Sequence, residues 1–265
     1  NIVSYLYVDG CSFTWGTELD KPPEENWGYI LGNKLELPVL NNSYQGQGND
    51  EMFRKLYELL YTSKKYNEEY GHPKQLWNLP SIIVIQLSEL TRIRIFDDID
   101  MKWKSASEAA WDLPKKTKDY YWKYYFSTYQ NVYNLFVQML LLKDKCDSLG
   151  IEFYVFDGIC DINLHCLSKI KDDREKYILL DLYQTIKDKK FLLYNGNYSW
   201  NNINEQEEYY DKRTQQIGPF YHDSFWKNRP GKPKVGEWVC DEGHPTKESH
   251  RFMADEVYNF IKELK

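Results

Sequence analysis

The sequence lacks the features that mark several classes of protein. It has no apolar run near the ~20 residues that span a bilayer, and its amino terminus lacks the basic, apolar and small-residue order of a signal peptide. Its net charge is −6 at pH 7, and no block of five or six like charges supplies the basic stripe that phosphate backbones require. These absences predict a soluble, cytoplasmic protein with no membrane and no nucleic-acid partner.

Cysteine is too scarce and too scattered to form a disulfide framework. The chain has five cysteines, an odd number, with no Cys-x-x-Cys pair, so we expect reduced thiols. The stretch CDINLHC at 160–166 has a passing likeness to a metal site. A structural zinc takes four ligands in paired spacings, however, and no second Cys/His pair lies near this stretch. The sequence therefore predicts no metal site.

Aromatic residues are abundant: they make up 17% of the chain, with 23 Tyr and 9 Trp. Two stretches concentrate them, at 97–126 and 195–239, and both look like insertions into a regular pattern of strands and helices. Aromatic side chains with a polar atom suit wet binding faces as well as cores. The segment DYYWKYYF at 119–126 is thus open to two interpretations, a sugar-stacking platform or a layer that packs the insertion onto the fold.

The hydrophobic pattern predicts an α/β fold. Short apolar runs bounded by turn residues predict strands, and they lie at 2–8, 37–40, 81–87, 151–157 and, more weakly, 191–194. Helical patterns separate them, the clearest at 127–149, and a last helix follows Pro245 and Thr246. Alternation of this kind predicts a three-layer α/β/α sandwich with a short parallel sheet, and we expect a single domain over 1–265.

Ser12 follows the first predicted strand in VDGCSFTWG, residues 8–16. Ligands of open parallel sheets bind beyond the carboxyl ends of the strands, which places Ser12 where chemistry is expected. A serine after a strand is also a common turn former. Taken alone, Ser12 therefore decides nothing.

A second motif, DEGHP at 241–245, precedes the last helix. A carboxylate at Asp241 could hold Nδ1 of His244 and leave Nε2 to accept a hydroxyl proton, which is what a weak serine nucleophile needs. The alternative is that Asp241 caps a turn and His244 is a surface residue. We expect His250, six residues further on, to face solvent.

A third motif, NNSYQGQGND, occupies 41–50 after the second strand. A glycine here lets a backbone N–H approach a reacting oxyanion, and the helix that follows adds its positive end. The alternative is a glycine-rich turn capped by Asn49 or Asp50. Together with the other two motifs, it completes a set that occurs in the chain order expected of a hydrolase.

The three motifs resemble the blocks of the SGNH/GDSL hydrolase superfamily. VDGCSFTWG is similar to its first block, YQGQGN to its second and DEGHP to its last, and the resemblance covers 2 to about 90 and 238–264. It implies a flavodoxin-like esterase fold in which Ser12 is the nucleophile, His244 the base and Asp241 the residue that orients it. The oxyanion hole would then use the N–H groups of Ser12 and Gly46.

The third block departs from the family pattern. Where the family has Gly-x-Asn-Asp, this chain has VIQLSELTR at 84–92, which puts Leu90 at the asparagine position. An apolar side chain cannot donate a hydrogen bond to the oxyanion. Asn49 is the first candidate to replace that donor and Arg92 the second, with Ser88 and Thr91 also near.

The sequence as a whole predicts a serine hydrolase that cleaves a small acyl ester, such as an O-acetyl group on a carbohydrate, through an acyl-enzyme without a cofactor. Two alternatives stay open: an O-acyltransferase, and a non-catalytic glycan-binding or structural protein on the same scaffold. The substrate would be a small molecule or a glycan. The candidate substrate-binding residues are Ser88, Arg92, Trp103, Trp111, Trp122, Trp200 and Trp226.

Overall fold

The computed structural model describes residues 4–61, 79–88, 90–106, 112–157, 171–193 and 244–265. The second insertion, with Trp200 and Trp226, lies outside these ranges, as do Trp111 and Asp241. The strands are β1 (Leu6–Asp9), β2 (Val39–Asn41), β3 (Ile82–Leu87), β4 (Arg94–Asp97), β5 (Lys102–Ser105), β6 (Glu152–Asp157) and β7 (Leu192–Leu193). The helices are α1 (Ser12–Trp15), α2 (Pro22–Glu25), α3 (Trp27–Leu35), α4 (Asn49–Tyr61), α5 (Lys115–Tyr124), α6 (Thr128–Ser148), α7 (Asp173–Asp188) and α8 (Lys247–Glu263).

A five-stranded parallel sheet forms the centre of the fold, with the strand order β2-β1-β3-β6-β7. Each of the five apolar runs overlaps one of these strands, so the predicted α/β class is confirmed. Every residue of β1 and β3 is buried, because helices cover both faces of the sheet. The carboxyl ends of β1, β3 and β6 consequently lie side by side at one edge.

Alternating side chains of the strands point into two separate apolar layers, as the two-residue period of a strand requires. Tyr7 and Ile83 belong to the layer shared with α4, α6 and α7. Leu6 and Val84 belong to the layer shared with α3 and α8. The molecule is therefore a three-layer α/β/α sandwich over its described residues.

Two predicted helices form with the expected caps. Helix α6 begins after Ser127, whose hydroxyl accepts from the N–H of Gln130, and it matches the prediction over 127–149 within a residue. Helix α8 begins after Thr246, whose side chain accepts from the N–H of Ser249. The apolar residues Met253, Val257 and Ile261 of α8 are buried, whereas Leu264, which follows the helix, is exposed.

The first insertion has regular structure. Strands β4 and β5 pair antiparallel as a hairpin that starts at Arg94, slightly before the predicted boundary, and α5 follows it. Over the ranges that the structure describes, no helix is long and apolar enough to cross a membrane.

Candidate active site

The end of β1 turns sharply into α1, and Gly10 makes the turn possible. A Cβ on Gly10 would lie 1.9 Å from Oγ1 of Thr14, so any other residue would displace that side chain. Ser12 is the first residue of α1 and is only 6% exposed. The helix ends at Gly16, whose φ of +87° is the left-handed conformation that glycine adopts most readily. The candidate nucleophile thus stands on a short helix that begins and ends in close-packed turns.

Thr14 fastens α1 to the centre of the sheet. Its hydroxyl donates to Oε1 of Gln86 on β3 and accepts from the indole N–H of Trp27 at 3.2 Å. All three side chains are buried, where a hydrogen bond is electrostatically stronger than in water. The side of α1 opposite the site is therefore fixed.

The loop between β2 and α4 is bound to the β1–α1 segment on either side of Gly46. Gln45 donates to Oγ1 of Thr17 at 3.1 Å, and Gln47 donates to Oδ1 of Asp9 at 2.9 Å. Gly46 lies between these glutamines with φ +76°. Among the described residues, the N–H groups of Ser12 and Gly46 have no acceptor. The two predicted oxyanion donors are therefore held in neighbouring segments with their N–H groups available.

Asp9 is a functional candidate that the sequence analysis missed. Its carboxylate is completely buried and accepts from the Gly10 N–H at 2.8 Å and from the Tyr7 hydroxyl at 3.0 Å, besides the Gln47 amide. Burial raises the pKa of Asp9 to about 7, and the Lys55 ammonium 4.0 Å away opposes that rise. An acid as the last residue of a fully apolar strand was the signal available in the sequence.

Asn49 is held by main-chain groups of Ser88. Its amide donates to the Ser88 carbonyl at 2.9 Å, and its Oδ1 accepts from the Ser88 N–H at 2.7 Å. One N–H of the amide is left over, because a primary amide carries two. Leu90 packs against the apolar layer of α4 and α6, as an apolar side chain should. The expected third donor is thus a residue that already links the glycine loop to the end of β3.

Arg92 supports the same loop through its backbone. A Cβ on Gly48 would lie 2.0 Å from the Arg92 carbonyl oxygen, so only glycine fits there. Ser88 is fully buried. Both residues therefore lie beside the glycine loop, and their predicted contact with a substrate stays a prediction.

His244 is held by a carboxylate, and that carboxylate belongs to Glu18. Nδ1 of His244 lies 2.8 Å from Oε2 of Glu18, and the backbone N–H of His244 donates to the same oxygen at 3.2 Å. The ring also meets Phe13 edge-on, with centroids 5.6 Å apart. Phe13 directly follows Ser12, so the closing segment reaches the end of β1. Nothing in the sequence pattern pointed to Glu18.

The prediction that His250 faces solvent is wrong. His250 is fully buried, and its Nδ1 accepts from the backbone N–H of Trp27 at 3.1 Å. Burial lowers the pKa of His250 to about 3, with a smaller contribution of the same sign from His244 and an opposing one from Glu25. His250 therefore acts as a neutral hydrogen-bond acceptor that joins α8 to α3.

The β4–β5 hairpin lies beside the glycine loop. Arg94 on β4 donates to the Tyr44 hydroxyl and, at 3.2 Å, to the Trp103 carbonyl. Trp103 is 39% exposed and lies under the guanidinium of Arg54 at 4.9 Å. Since Tyr44 is two residues from Gly46, the hairpin places an exposed aromatic face near the loop.

Trp122 has a different environment from that of Trp103. It packs on Phe126 with ring centroids 4.4 Å apart and meets Tyr121 edge-on. These contacts lie within the segment itself, and its residues Tyr120, Tyr124 and Tyr125 are exposed, so both interpretations of 119–126 stay open. Within the described part of the chain, no group of three or more metal-ligating side chains occurs.

The chain is similar in fold to solved esterases. It matches an esterase from Pseudoalteromonas with 14% identity over 98% of both chains and a TM-score of 0.46. It matches an acetyl xylan esterase from Butyrivibrio proteoclasticus with 12% identity over 98% of this chain and 64% of that one, at a TM-score of 0.46. A member of the lipolytic G-D-S-L family from Veillonella parvula matches with 12% identity over 97% of both chains, at a TM-score of 0.41.

No family model matches the sequence, and the comparison with curated proteins finds no match. At these identities the activity has to be argued from the side chains of this chain.

Proposed function

We propose that the protein is a serine hydrolase that cleaves a small acyl ester through an acyl-enzyme. The observation that carries the proposal is the position of His244: a carboxylate holds its Nδ1, and its ring lies against Phe13, the neighbour of Ser12. An imidazole held at Nδ1 presents Nε2 as a base. A hydroxyl, a base and an orienting acid are the groups that acyl transfer to serine requires.

In the acylation step, Oγ of Ser12 attacks the ester carbonyl carbon and its proton passes to Nε2 of His244. The carbonyl oxygen becomes an oxyanion, which the N–H groups of Ser12 and Gly46 stabilise. The C–O bond to the alcohol then breaks, and His244 returns the proton to the leaving oxygen. The products of this step are the free alcohol and an ester of Ser12.

In the deacylation step, water attacks the Ser12 ester and gives a proton to Nε2 of His244. The bond to Oγ breaks, Oγ takes that proton, and the carboxylic acid leaves. The free N–H of Asn49 is the proposed third oxyanion donor, which supplies what Leu90 cannot. Every group in the cycle is a protein side chain, a main-chain N–H or water, so no cofactor takes part.

The proposed substrate carries a small acyl group, such as an acetyl ester on a glycan. The exposed ring of Trp103 supports this choice, because a sugar ring packs well on an aromatic face and the hairpin is bound to the glycine loop through Arg94. The solved acetyl xylan esterase in the comparison is a protein of similar fold.

A fluorophosphonate probe tests the proposal, because it reacts with an activated serine. We expect it to label Ser12 of the native protein and to abolish hydrolysis of 4-nitrophenyl acetate. Ser12→Ala should remove both labelling and turnover. Ser81→Ala is the matched control, since Ser81 lies at the opposite edge of the sheet, where its hydroxyl bonds the Tyr5 carbonyl.

Three results would count against hydrolysis at Ser12. Absence of labelling together with turnover at the level of Ser12→Ala would favour the non-catalytic glycan-binding protein. Labelling at another serine would place the nucleophile elsewhere. Transfer of the acetyl group to an added alcohol, with little free acetate, would favour the O-acyltransferase.

A further inference from the structure

We propose that Glu18 is the positioning residue that holds His244 in its catalytic tautomer, the role that the sequence motif predicts for Asp241. The proposal rests on the proposed hydrolase function for its catalytic consequence. The pairing itself rests only on the contacts between the two residues.

One carboxylate oxygen of Glu18 receives both hydrogen bonds from His244. Oε2 lies 2.8 Å from Nδ1 and 3.2 Å from the backbone nitrogen. A carboxylate accepts hydrogen bonds and does not donate them. Nδ1 must therefore carry a proton, and in the neutral imidazole this leaves a lone pair on Nε2 to act as the base.

The surroundings of the pair limit its freedom. The side chains of Glu18 and His244 are 18% and 19% exposed, so water reaches them only in part. Phe13 contacts the imidazole ring edge-on. The ring is thus fixed by a carboxylate and by an aromatic neighbour of the proposed nucleophile.

The backbone at Glu18 is in an uncommon conformation. Its φ is +68°, in the left-handed region that is unfavourable for a residue with a Cβ. Such conformations cluster at functional sites, where other contacts stabilise them. The turn follows Gly16 and carries Glu18 back toward the closing segment, so the segment that holds the nucleophile also holds the acid.

Nδ1 has a single proton to donate. When it is bonded to Glu18, a second carboxylate cannot take the same short bond. Glu18 therefore occupies the position that a triad acid would fill, and the geometry assigns the acid to the first block of the chain rather than to the last.

Glu18→Gln is the decisive variant, because it keeps an oxygen for the His244 backbone N–H and removes the charge. We expect kcat on 4-nitrophenyl acetate to fall by about 10²–10⁴-fold, with KM changing less than about threefold, as when a triad acid is made neutral. Glu18→Asp keeps the charge and should recover part of the lost rate. A purely structural role would give the opposite pattern, a change in stability with kcat preserved.

Glu25→Gln is the matched control. Glu25 also joins the α2 region to the closing segment, through a 2.6 Å ion pair with Lys247, but the structure records no bond from it to His244. Its kcat should stay within about twofold of the wild type. An equal loss of rate in both variants would mean that any acid bridging these segments matters, and would overturn the assignment to Glu18.

Proton NMR tests the pair without turnover. A Nδ1–H that is bonded to a carboxylate gives a far-downfield resonance, which we expect in the wild type and in Ser12→Ala but not in Glu18→Gln. If Asp241→Asn loses that resonance and the activity while Glu18→Gln keeps both, the proposal is overturned. If the resonance depends on Glu18 in a protein without esterase activity, the pairing stands and the proposed function fails.

Discussion

The two histidines of the closing segment lie six residues apart in the sequence and have opposite environments. His244 is partly exposed and bonded to the Glu18 carboxylate. His250 is fully buried and bonded to the uncharged backbone N–H of Trp27. A carboxylate partner can stabilise an imidazolium that forms during a reaction, whereas burial keeps His250 neutral even though the charge of Glu25 opposes that effect. The difference separates the proposed base, His244, from a residue that holds two helices together.

Exchanging each histidine for asparagine tests the difference between them most directly. His244→Asn should lower kcat by about 10⁴-fold or more, because the base is lost, and should leave the unfolding free energy nearly unchanged. His250→Asn keeps an oxygen for the Trp27 N–H and should retain most of the activity. The measurements are kcat on an aryl acetate and urea unfolding of each variant. Equal losses of kcat would show that the two residues do not differ in function.

Acid sharpens the comparison, because burial makes His250 resist protonation. Burial lowers the pKa of His250 from 6.5 to about 3, so between these values the unfolded chain binds a proton that the folded chain does not. The stability that neutral His250 contributes is therefore lost as pH falls, by up to about 5 kcal/mol over that window. Urea unfolding between pH 7 and pH 3.5 should show a smaller acid loss in His250→Asn than in the wild type. If the free energy of unfolding fell equally with pH in the wild type and in His250→Asn, this account would be wrong.

Asp9 extends the comparison to a buried acid. Its contribution to the free energy of unfolding changes with pH in the opposite direction from that of His250. Burial raises the pKa of Asp9 from 3.8 to about 7, so the folded chain holds a proton that the unfolded chain has released. This contribution to stability is complete below pH 4 and is lost as pH rises toward 7 and above, by about 4 kcal/mol. Asp9→Asn should flatten that slope, whereas Asp20→Asn, at an exposed acid, should not. Urea unfolding of each variant between pH 5 and pH 8 measures this pH dependence of stability.

Local patterns predicted the scaffold because they depend on neighbours in the sequence. The strands from 2–8 to 191–194 and the helices beginning near 127 and 247 all follow from apolar periodicity and from caps such as Thr246. The same periodicity indicates that His250 is buried, because it lies three, seven and eleven residues before the buried Met253, Val257 and Ile261. A polar residue on the apolar stripe of α8 should have been expected in the core.

The contacts that complete the candidate site are not local. Glu18 meets His244 across 226 positions, and Asp9 meets Gln47 across 38. No spacing rule links such pairs, because the parallel sheet brings them together only after the chain has crossed it several times. Motif resemblance pointed to Ser12, Gly46 and His244, but only the assembled fold shows which acid faces the imidazole.

The late position of helix α8 in the chain also has a consequence for biosynthesis. Helix α8 is translated after every other described element, yet it packs beside α3, where Lys34 and Asp255 form an ion pair of 2.8 Å. During translation, Ser12 and Glu18 emerge more than 220 positions before His244. The proposed site therefore cannot assemble before the closing segment has left the ribosome.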